Sequence, residues 1–472
     1  MENREELEIT ETNEPSLSQV ACIGLGFVGY HSAIAFCESG KAVVGIDIDD
    51  DHIRTVRNGT HPFETNGLRE FLDRETCTLS TRVSDAADCD CYVISVPTPL
   101  DERDSPDLSA LRDACQQVST VLDDGDLVVL QSTVYPGCTR DELRPILERS
   151  GLEAGADFGL SHVPERYSPS DERSRRAPRV VGSIDEDWRA VTAAMYRDVT
   201  RSTVPVSSLE VAEAIKLVEN IQRDVNIAVL NELTTVTDAL GIDIWNVIEG
   251  AETKWNFHRY EPRLGVGGHC LPVDPHYFRT ATDHLDEDLE LVMTARDVNG
   301  SMPGYYGDRI AEYLASVDKP VSEATVAVLG LSYKPNVEDP RNSPSVTLIR
   351  HLRPNDIDVA AFDPQFQPNA EIEGIGIENG TDAVSTVRNA DVTVVGTGHD
   401  DFQRLQPATL GDLMADDPLL VDVARLLDTD AVDDSDLVRL RDYLTTDRAN
   451  SPRDDHNGET SAADANQGWN DE

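Results

Sequence analysis

Cys270 stands at the end of a glycine-rich run, PRLGVGGHCLPVDP (262–275), with glycines at 265, 267 and 268 ahead of it and Asp274 beyond a proline. Glycines let a backbone press close to a ligand. A cysteine presented on such a loop can act as a covalent nucleophile, and a nearby carboxylate can orient a water or take a proton. The residues alone leave a buried structural cysteine equally open, and His269 can serve a reaction or simply pack. A second chemical feature lies near the start of the chain. Gly24-Leu25-Gly26-Phe27-Val28-Gly29 follows an apolar run and opens a helical one. In such a GxGxxG turn the first glycine permits the tight bend, the second lets a pyrophosphate approach the backbone, and the third allows close helix–strand packing. The phosphates then meet free N–H groups at the helix N-terminus. Asp47 ends the next apolar run, where a carboxylate accepts from ribose hydroxyls and repels a 2′-phosphate, favouring NAD over NADP. FAD shares the fingerprint and is the alternative.

These residues need elements to hold them. From Gln19 the chain alternates strand-like and helix-like runs: VACIGLG, a helix from Val28 to Ser39, AVVGIDID, a helix from Asp51, CYVISVP, DLVVLQST, FGLSHVPE and VVGS. Strands separated by helices indicate βαβ units and a parallel sheet, so the fold class is α/β. Residues 208–240 differ: apolar positions recur at helical spacing with no proline or glycine. So long a helix bridges domains or builds a dimer interface. After residue 322 the alternation restarts with ATVAVLGLSY, SPSVTLIRHL, DVAAFDP, ADVTVVGTG and PLLVDV. The expected organisation is an acidic disordered tail (1–17), a Rossmann-like dinucleotide domain (18–206), a central helical domain with the cysteine loop (207–301), a second Rossmann-like domain (302–445) and a second disordered tail (446–472).

Composition narrows the partners. The 472 residues carry 88 acidic and 40 basic side chains, a net charge of −48. That excludes nucleic acid and anionic membranes, which need a basic face, and any phosphate site must be locally positive. The lysines are Lys41, Lys216, Lys254, Lys319 and Lys334; arginine supplies the other basic residues. An acidic, lysine-poor surface resembles that of proteins from salt-loving archaea, where ionic strength screens self-repulsion. No apolar run reaches the ~18 residues of a membrane helix. The polar, acidic start lacks a basic and apolar leader, so a cytoplasmic location is expected. The eight cysteines show no CxxC pair or Cys/His ligand spacing, so no metal and reduced thiols are expected.

Collinear motifs carry a resemblance. GLGFVG, VISVPTPL with Pro97 and Thr98, QSTVYPGCT with Ser132 and Thr133, HVPERYSPSD with Glu165 and Arg166, EAIKLVENIQRDVNIAVLNEL with Lys216 and Asn220, GVGGHCLPVDP, and GLSYKPNVEDPRNSPS with Lys334, Asp339 and Arg341 follow one another. Together they resemble the UDP-glucose/GDP-mannose 6-dehydrogenase family over about residues 19–440. The resemblance implies two Rossmann-like domains joined by a helical core, a homodimer through that core, and a four-electron oxidation of a primary alcohol with NAD. It implies that Cys270 attacks the transient aldehyde, giving a thiohemiacetal and then a thioester. Lys216 and Asn220, on one helix face, would donate to the oxyanion, and Asp274 would be the water-linked base. Glu165 and Thr133 would position water, although Glu165 read alone is a salt-bridge residue. The cofactor would meet Gly24, Gly26, Phe27, Val28, Gly29, Asp47, Pro97, Thr98, Ser132 and Thr133. The UDP-sugar would meet Glu165, Arg166, Lys216, Asn220, Gly267, Gly268, Lys334, Arg341 and Arg425, and Arg259 and Arg263 are further candidates. The chain departs from the family pattern at Ala424, where a glycine is usual before the arginine, and at Gln131, where Glu or Lys is common.

Members acting on UDP-glucose resemble GFGGSCFPKD in the cysteine loop, whereas His269 and Val273 here resemble the UDP-N-acetylhexosamine branch. UDP-N-acetylmannosamine is the favoured substrate, with UDP-N-acetylglucosamine and UDP-glucose as alternatives. Two competing readings are a non-catalytic dinucleotide-binding protein, which predicts loss of Cys270 or Lys216, and a two-electron alcohol dehydrogenase without covalent chemistry.

Overall fold

Short apolar runs build two separate sheets. In the computed structural model, which describes residues 17–59, 68–166, 177–285, 287–372, 375–423, 425–427 and 438–439, the first sheet contains β1 (Gln19–Ile23), β2 (Ala42–Ile46), β3 (Cys77–Ser80), β4 (Cys91–Ile94), β5 (Leu127–Leu130), β6 (Gly159–His162), β7 (Arg179–Ser183) and β8 (Thr203–Pro205). Its order is β3-β2-β1-β4-β5-β6-β7-β8. β4, β5 and β6 are buried at every position, as strands covered by helices on both faces must be. The strand order reverses between β1 and β4, so their C-terminal ends leave the crevice in which doubly wound sheets bind ligands. One pairing departs from the expected parallel sheet: β6 and β7 run antiparallel, with Ser161 opposite Ser183.

The second sheet is wholly parallel. It contains β9 (Thr325–Leu329) and β10 (Asp358–Phe362), then, after an antiparallel ribbon of β11 (Glu371–Ile372) and β12 (Ile377–Glu378), β13 (Val392–Val395), β14 (Leu419–Asp422) and β15 (Val438–Arg439). The order is β10-β9-β13-β14-β15. The tails expected at 1–17 and 446–472 lie outside the described residues except for Leu17. That residue is buried, and its carbonyl accepts from Lys41 Nζ at 2.9 Å.

Between the sheets the long segment forms one unbroken helix of 32 residues, Leu209–Leu240. The Ser208 side chain caps its start by accepting from Val211 N, and Gly241 ends it in the left-handed conformation at φ 69°. A helix of 27 residues, Glu290–Ser316, packs on it and runs straight through the expected domain boundary at 301/302. The two helices are locked by a buried polar cluster. Asp224 accepts from Arg296 at 2.6 Å and from Asn299 at 2.9 Å, and Asn231 donates to Asn299 at 2.8 Å. Burial raises the Asp224 carboxyl and Arg296 opposes that.

The thiols correct one expectation. Cys37, near the end of the helix Phe27–Glu38, and Cys77, at the start of β3, are joined as a disulfide across a Cα separation of 6.7 Å. Both belong to the layer where that helix covers the sheet, which brings them into bridging range. The other six cysteines are free, as expected. The Asp224–Arg296 lock gives a stability prediction. Arg296→Met strands a buried carboxylate and should lower unfolding free energy by about 3–5 kcal/mol in denaturant titrations at fixed salt. A change within ~0.5 kcal/mol, the usual range for surface substitutions, would show that the pair does not hold the helices.

Candidate functional site

The turn after β1 is shaped by its glycines. Gly24 takes φ +83°, and a Cβ on Gly29 would stand 1.8 Å from the Gly24 carbonyl oxygen, so the helix Phe27–Glu38 starts against the turn itself. A Cβ at Gly26 would meet nothing within 4 Å. The second glycine thus faces open space where a pyrophosphate needs to approach. Asp47 accepts from Leu25 N at 2.8 Å and from Asp49 N at 3.0 Å, which fixes its carboxylate beside the turn. These residues fit a dinucleotide: an open glycine, a helix that starts at Phe27 and Val28 with its N-terminus at the turn, and a ribose-side carboxylate.

The loops after β4 and β5 border the same crevice. Ser132 Oγ donates to Val96 O at 2.7 Å, tying the two loops together beside Pro97 and Thr98. Gln131, where the family pattern differs, is a core residue. It accepts from Ser32 at 2.9 Å and Ser95 at 2.7 Å and donates to Tyr196 at 2.9 Å, so it stitches the first helix to β4 and the outer layer.

The long helix presents its chemistry to this crevice. Lys216 Nζ donates to Thr133 Oγ1, and Asn220 Nδ2 donates to Asp274 Oδ2. Asp274 opens the helix Asp274–Thr282 and is buried, and its backbone N–H donates to Cys270 O at 2.8 Å. From that helix Tyr277 OH donates to Thr98 O at 2.8 Å, docking the cysteine segment on the first lobe. Cys270 alone among the free cysteines is exposed. Burial raises its thiol, as does Asp274, and Lys216, Lys334 and Arg223 pull it back down. Burial also raises the Asp274 carboxyl, against Lys216 and Asn220.

The glycines of the cysteine loop pack against the second lobe. A Cβ on Gly267 would lie 2.3 Å from Asn342 O, and one on Gly268 2.7 Å from the Tyr333 ring. On their Cβ side both lie against the second lobe's loop. That loop grips further: Asn342 Nδ2 donates to Gly268 O at 3.1 Å. Arg341 donates to both Asp339 oxygens, at 2.9 and 2.8 Å, and His269 Nε2 lies 2.8 Å from Asp339 Oδ2 and 3.0 Å from the Arg341 guanidinium. Protonated, this nitrogen donates to Asp339; deprotonated, it accepts from Arg341. Burial raises the Asp339 carboxyl, but His269 and Arg341 hold it well below the usual range.

Three predicted residues are held by protein partners. Glu165 pairs with Arg179 at 2.5 Å and is nearly buried. Arg166 grips Glu219 of the long helix at 3.1 Å and donates to Pro178 O at 2.8 Å. Arg425 pairs with Glu249 at 2.8 Å and lies over the Trp245 ring, so its described contacts fasten the second lobe to the core rather than to Cys270. Sequence reasoning missed Tyr277, which lies one helical turn past Asp274, and His162. His162 ends β6 fully buried; burial and then Lys216 hold its imidazole down at about 3, so it is neutral. Nothing in its local sequence signals that proximity to Lys216. No metal-binding cluster occurs among the described residues, nor any helix long and apolar enough to cross a membrane.

Comparison with known proteins follows the same three divisions. Residues 18–200 match the NAD binding domain of the UDP-glucose/GDP-mannose dehydrogenase family, 210–301 its central domain and 327–429 its UDP binding domain. UDP-N-acetyl-D-glucosamine 6-dehydrogenase of Pseudomonas aeruginosa is 33% identical over 88% of this chain and 98% of its own length. UDP-N-acetyl-D-mannosamine dehydrogenase of Pyrococcus horikoshii is 33% identical over 84% of this chain and 93% of its own. The solved structure of UDP-D-ManNAc dehydrogenase from Pyrococcus horikoshii superposes with a TM-score of 0.82 at 31% identity, covering 90% of this chain and 99% of that one. The chain, with a dinucleotide crevice on one lobe, a UDP binding domain as the other and a cysteine between them, belongs to the UDP-glucose/GDP-mannose dehydrogenase family and is an NAD-dependent nucleotide-sugar dehydrogenase.

Proposed function

We propose that the protein oxidises the C6 hydroxyl of a UDP-N-acetylhexosamine to the carboxylate, a four-electron reaction that passes through a covalent adduct on Cys270. The observation that carries this reading is the convergence of cations on one exposed thiol: Lys216 from the helical core and Lys334 from the second lobe both act on Cys270. UDP-N-acetylmannosamine is the first choice, in line with the similarity to the UDP-D-ManNAc dehydrogenase of Pyrococcus horikoshii. UDP-N-acetylglucosamine is the second, favoured by the Pseudomonas aeruginosa relative.

Two NAD⁺, bound one after the other, would each supply the acceptor for one hydride. Once C6 is an aldehyde, the Cys270 thiolate forms a C–S bond to it and the carbonyl electron pair moves onto oxygen. Lys216 and Asn220 donate to that oxyanion from adjacent turns. The second oxidation leaves a thioester. Water adds to its carbonyl, and the thiolate departs as the acid forms. Asp274, raised by burial, is suited to take the proton from that water. Thr133, held by Lys216, and Glu165, held by Arg179, position water. Arg341 and Lys334 meet the nucleotide diphosphate from the second lobe. The reaction draws on cytoplasmic NAD and UDP-sugar, and the acidic surface suits high salt.

The active species we propose is a homodimer. Val211, Val218, Val229, Leu233, Val236 and Leu240 are all exposed. At 3.6 residues per turn they fall on one face of the long helix, opposite Lys216 and Asn220. A second copy of the chain laid along this stripe would cover it without blocking the site.

Three measurements test these assignments. In concentrated KCl with a panel of UDP-sugars, the preferred substrate should yield two NADH per sugar. Cys270→Ser should lower acid production by more than about a thousandfold; one NADH per sugar, or a fully active serine variant, would reject the covalent route. Because burial lifts the Cys270 thiol, its alkylation by iodoacetamide should rise with pH through a midpoint above the ~8.5 of an ordinary cysteine. Lys216→Met removes the opposing charge and should move that midpoint higher; a midpoint that stays put would remove Lys216 from the thiol's surroundings. Leu233→Glu should convert a dimer into monomers by sedimentation, and an unaltered dimer mass would place the interface elsewhere.

A further inference from the structure

The first turns of the long helix carry three charged side chains at a spacing of three, Glu210, Glu213 and Lys216. All three reach one stretch of the first lobe, the loop that leaves β5 and enters the helical turns beginning at Thr139. Near the surface Glu210 pairs with Arg140 at 2.5 Å. Lys216 donates to Thr133 Oγ1. Between them Glu213 is buried, and both its carboxylate oxygens are taken up by backbone: Oε2 accepts from Gly137 N at 2.6 Å and Oε1 from Thr139 N at 2.9 Å.

A glutamate three residues from a lysine on a helix can pair with it. Here the loop occupies the carboxylate instead, which leaves the Lys216 ammonium to Thr133 and to the thiol. A buried carboxylate is costly unless it is hydrogen-bonded. Burial raises the Glu213 carboxyl, as does Glu210, and the N–H groups of Gly137 and Thr139 oppose that. The loop itself is tied to β4 only at its start, where Ser132 bonds to Val96, and it bends at Gly137, which takes φ +96°. A glycine bend has no side chain to brace it, so the carboxylate on the helix fixes where the bend lies. We propose that Glu213 is a positioning residue for the reaction: it clamps the loop at Gly137 and Thr139, and so holds Thr133 within reach of Lys216 and keeps that ammonium beside Cys270. It acts through Lys216 and Thr133 rather than on the reacting atoms. The role rests on the chemistry assigned above to Lys216 and Cys270.

The test uses Glu213→Gln in the full-length protein at fixed KCl, since glutamine keeps the size but has one acceptor oxygen for two N–H groups. Hydrogen exchange followed by mass spectrometry should show residues 132–139 exchanging about tenfold faster than in wild type, with β4 and β5 unchanged. kcat should fall about tenfold or more while KM for NAD⁺ and for the UDP-sugar stays put. The pH midpoint for alkylation of Cys270 should rise, as in Lys216→Met; a residue that only stabilised the fold would not move it. Glu213→Asp, which keeps both oxygens on a shorter arm, should recover part of each effect, and it replaces the glutamine variant if that does not fold. Unchanged exchange, or faster exchange with kcat and the alkylation midpoint both unchanged, overturns the proposal. A midpoint that moves in Lys216→Met but not in Glu213→Gln rejects Glu213 alone, whereas one that moves in neither rejects the assigned role of Lys216. Exchange and alkylation are read without turnover, so they are independent of which UDP-sugar is the substrate.

Discussion

Lys216 and Asn220 sit one turn apart on the long helix, and that turn touches both halves of the site. Lys216 reaches Thr133 at the end of β5, and Asn220 reaches Asp274, whose backbone is bonded to Cys270. The rise of one helical turn, ~5.4 Å, therefore sets the spacing between the first lobe's loop and the cysteine segment. Other contacts serve this alignment. Tyr277 pins the cysteine segment to Thr98, Arg166 holds the β6 loop to Glu219 on the same helix, and the Asp224–Arg296–Asn299 cluster stops the helix from rolling. A helix of 32 residues is stiff enough to act as the common ruler because its polar face is buried at several points along its length.

Much of this was legible in the sequence because backbone chemistry wrote it there. GLGFVG specifies a turn only glycine can make, and the structure uses each glycine for the role its position suggested: Gly24 for the bend, Gly26 for open space, Gly29 for contact. The long helix was legible because nothing in 209–240 interrupts it. The antiparallel β7 was not, since strand direction depends on where a connection returns rather than on the strand's residues. Nor was the Cys37–Cys77 bridge, whose members lie 40 residues apart and meet only once helix and sheet are stacked.

The site shows the same division. Residues bound to a helix period or a glycine loop could be placed from spacing. Partners supplied by another element could not. Glu165 gives no hint of Arg179, Arg425 none of Glu249 and Trp245, and the glycines at 267 and 268 carry the mark of close approach without naming the surface approached.

That surface is the Tyr333–Asn342 loop, and its identity changes what the cysteine loop is. Without side chains at 267 and 268 the loop takes its contour from the neighbour it lies on. His269 and Gly268 are further bound to Asp339 and Asn342. The loop that carries the thiol is therefore a seam: it is fitted to the second lobe by these contacts and, through Tyr277, to the first, so the sulfur's place is fixed by both lobes at once.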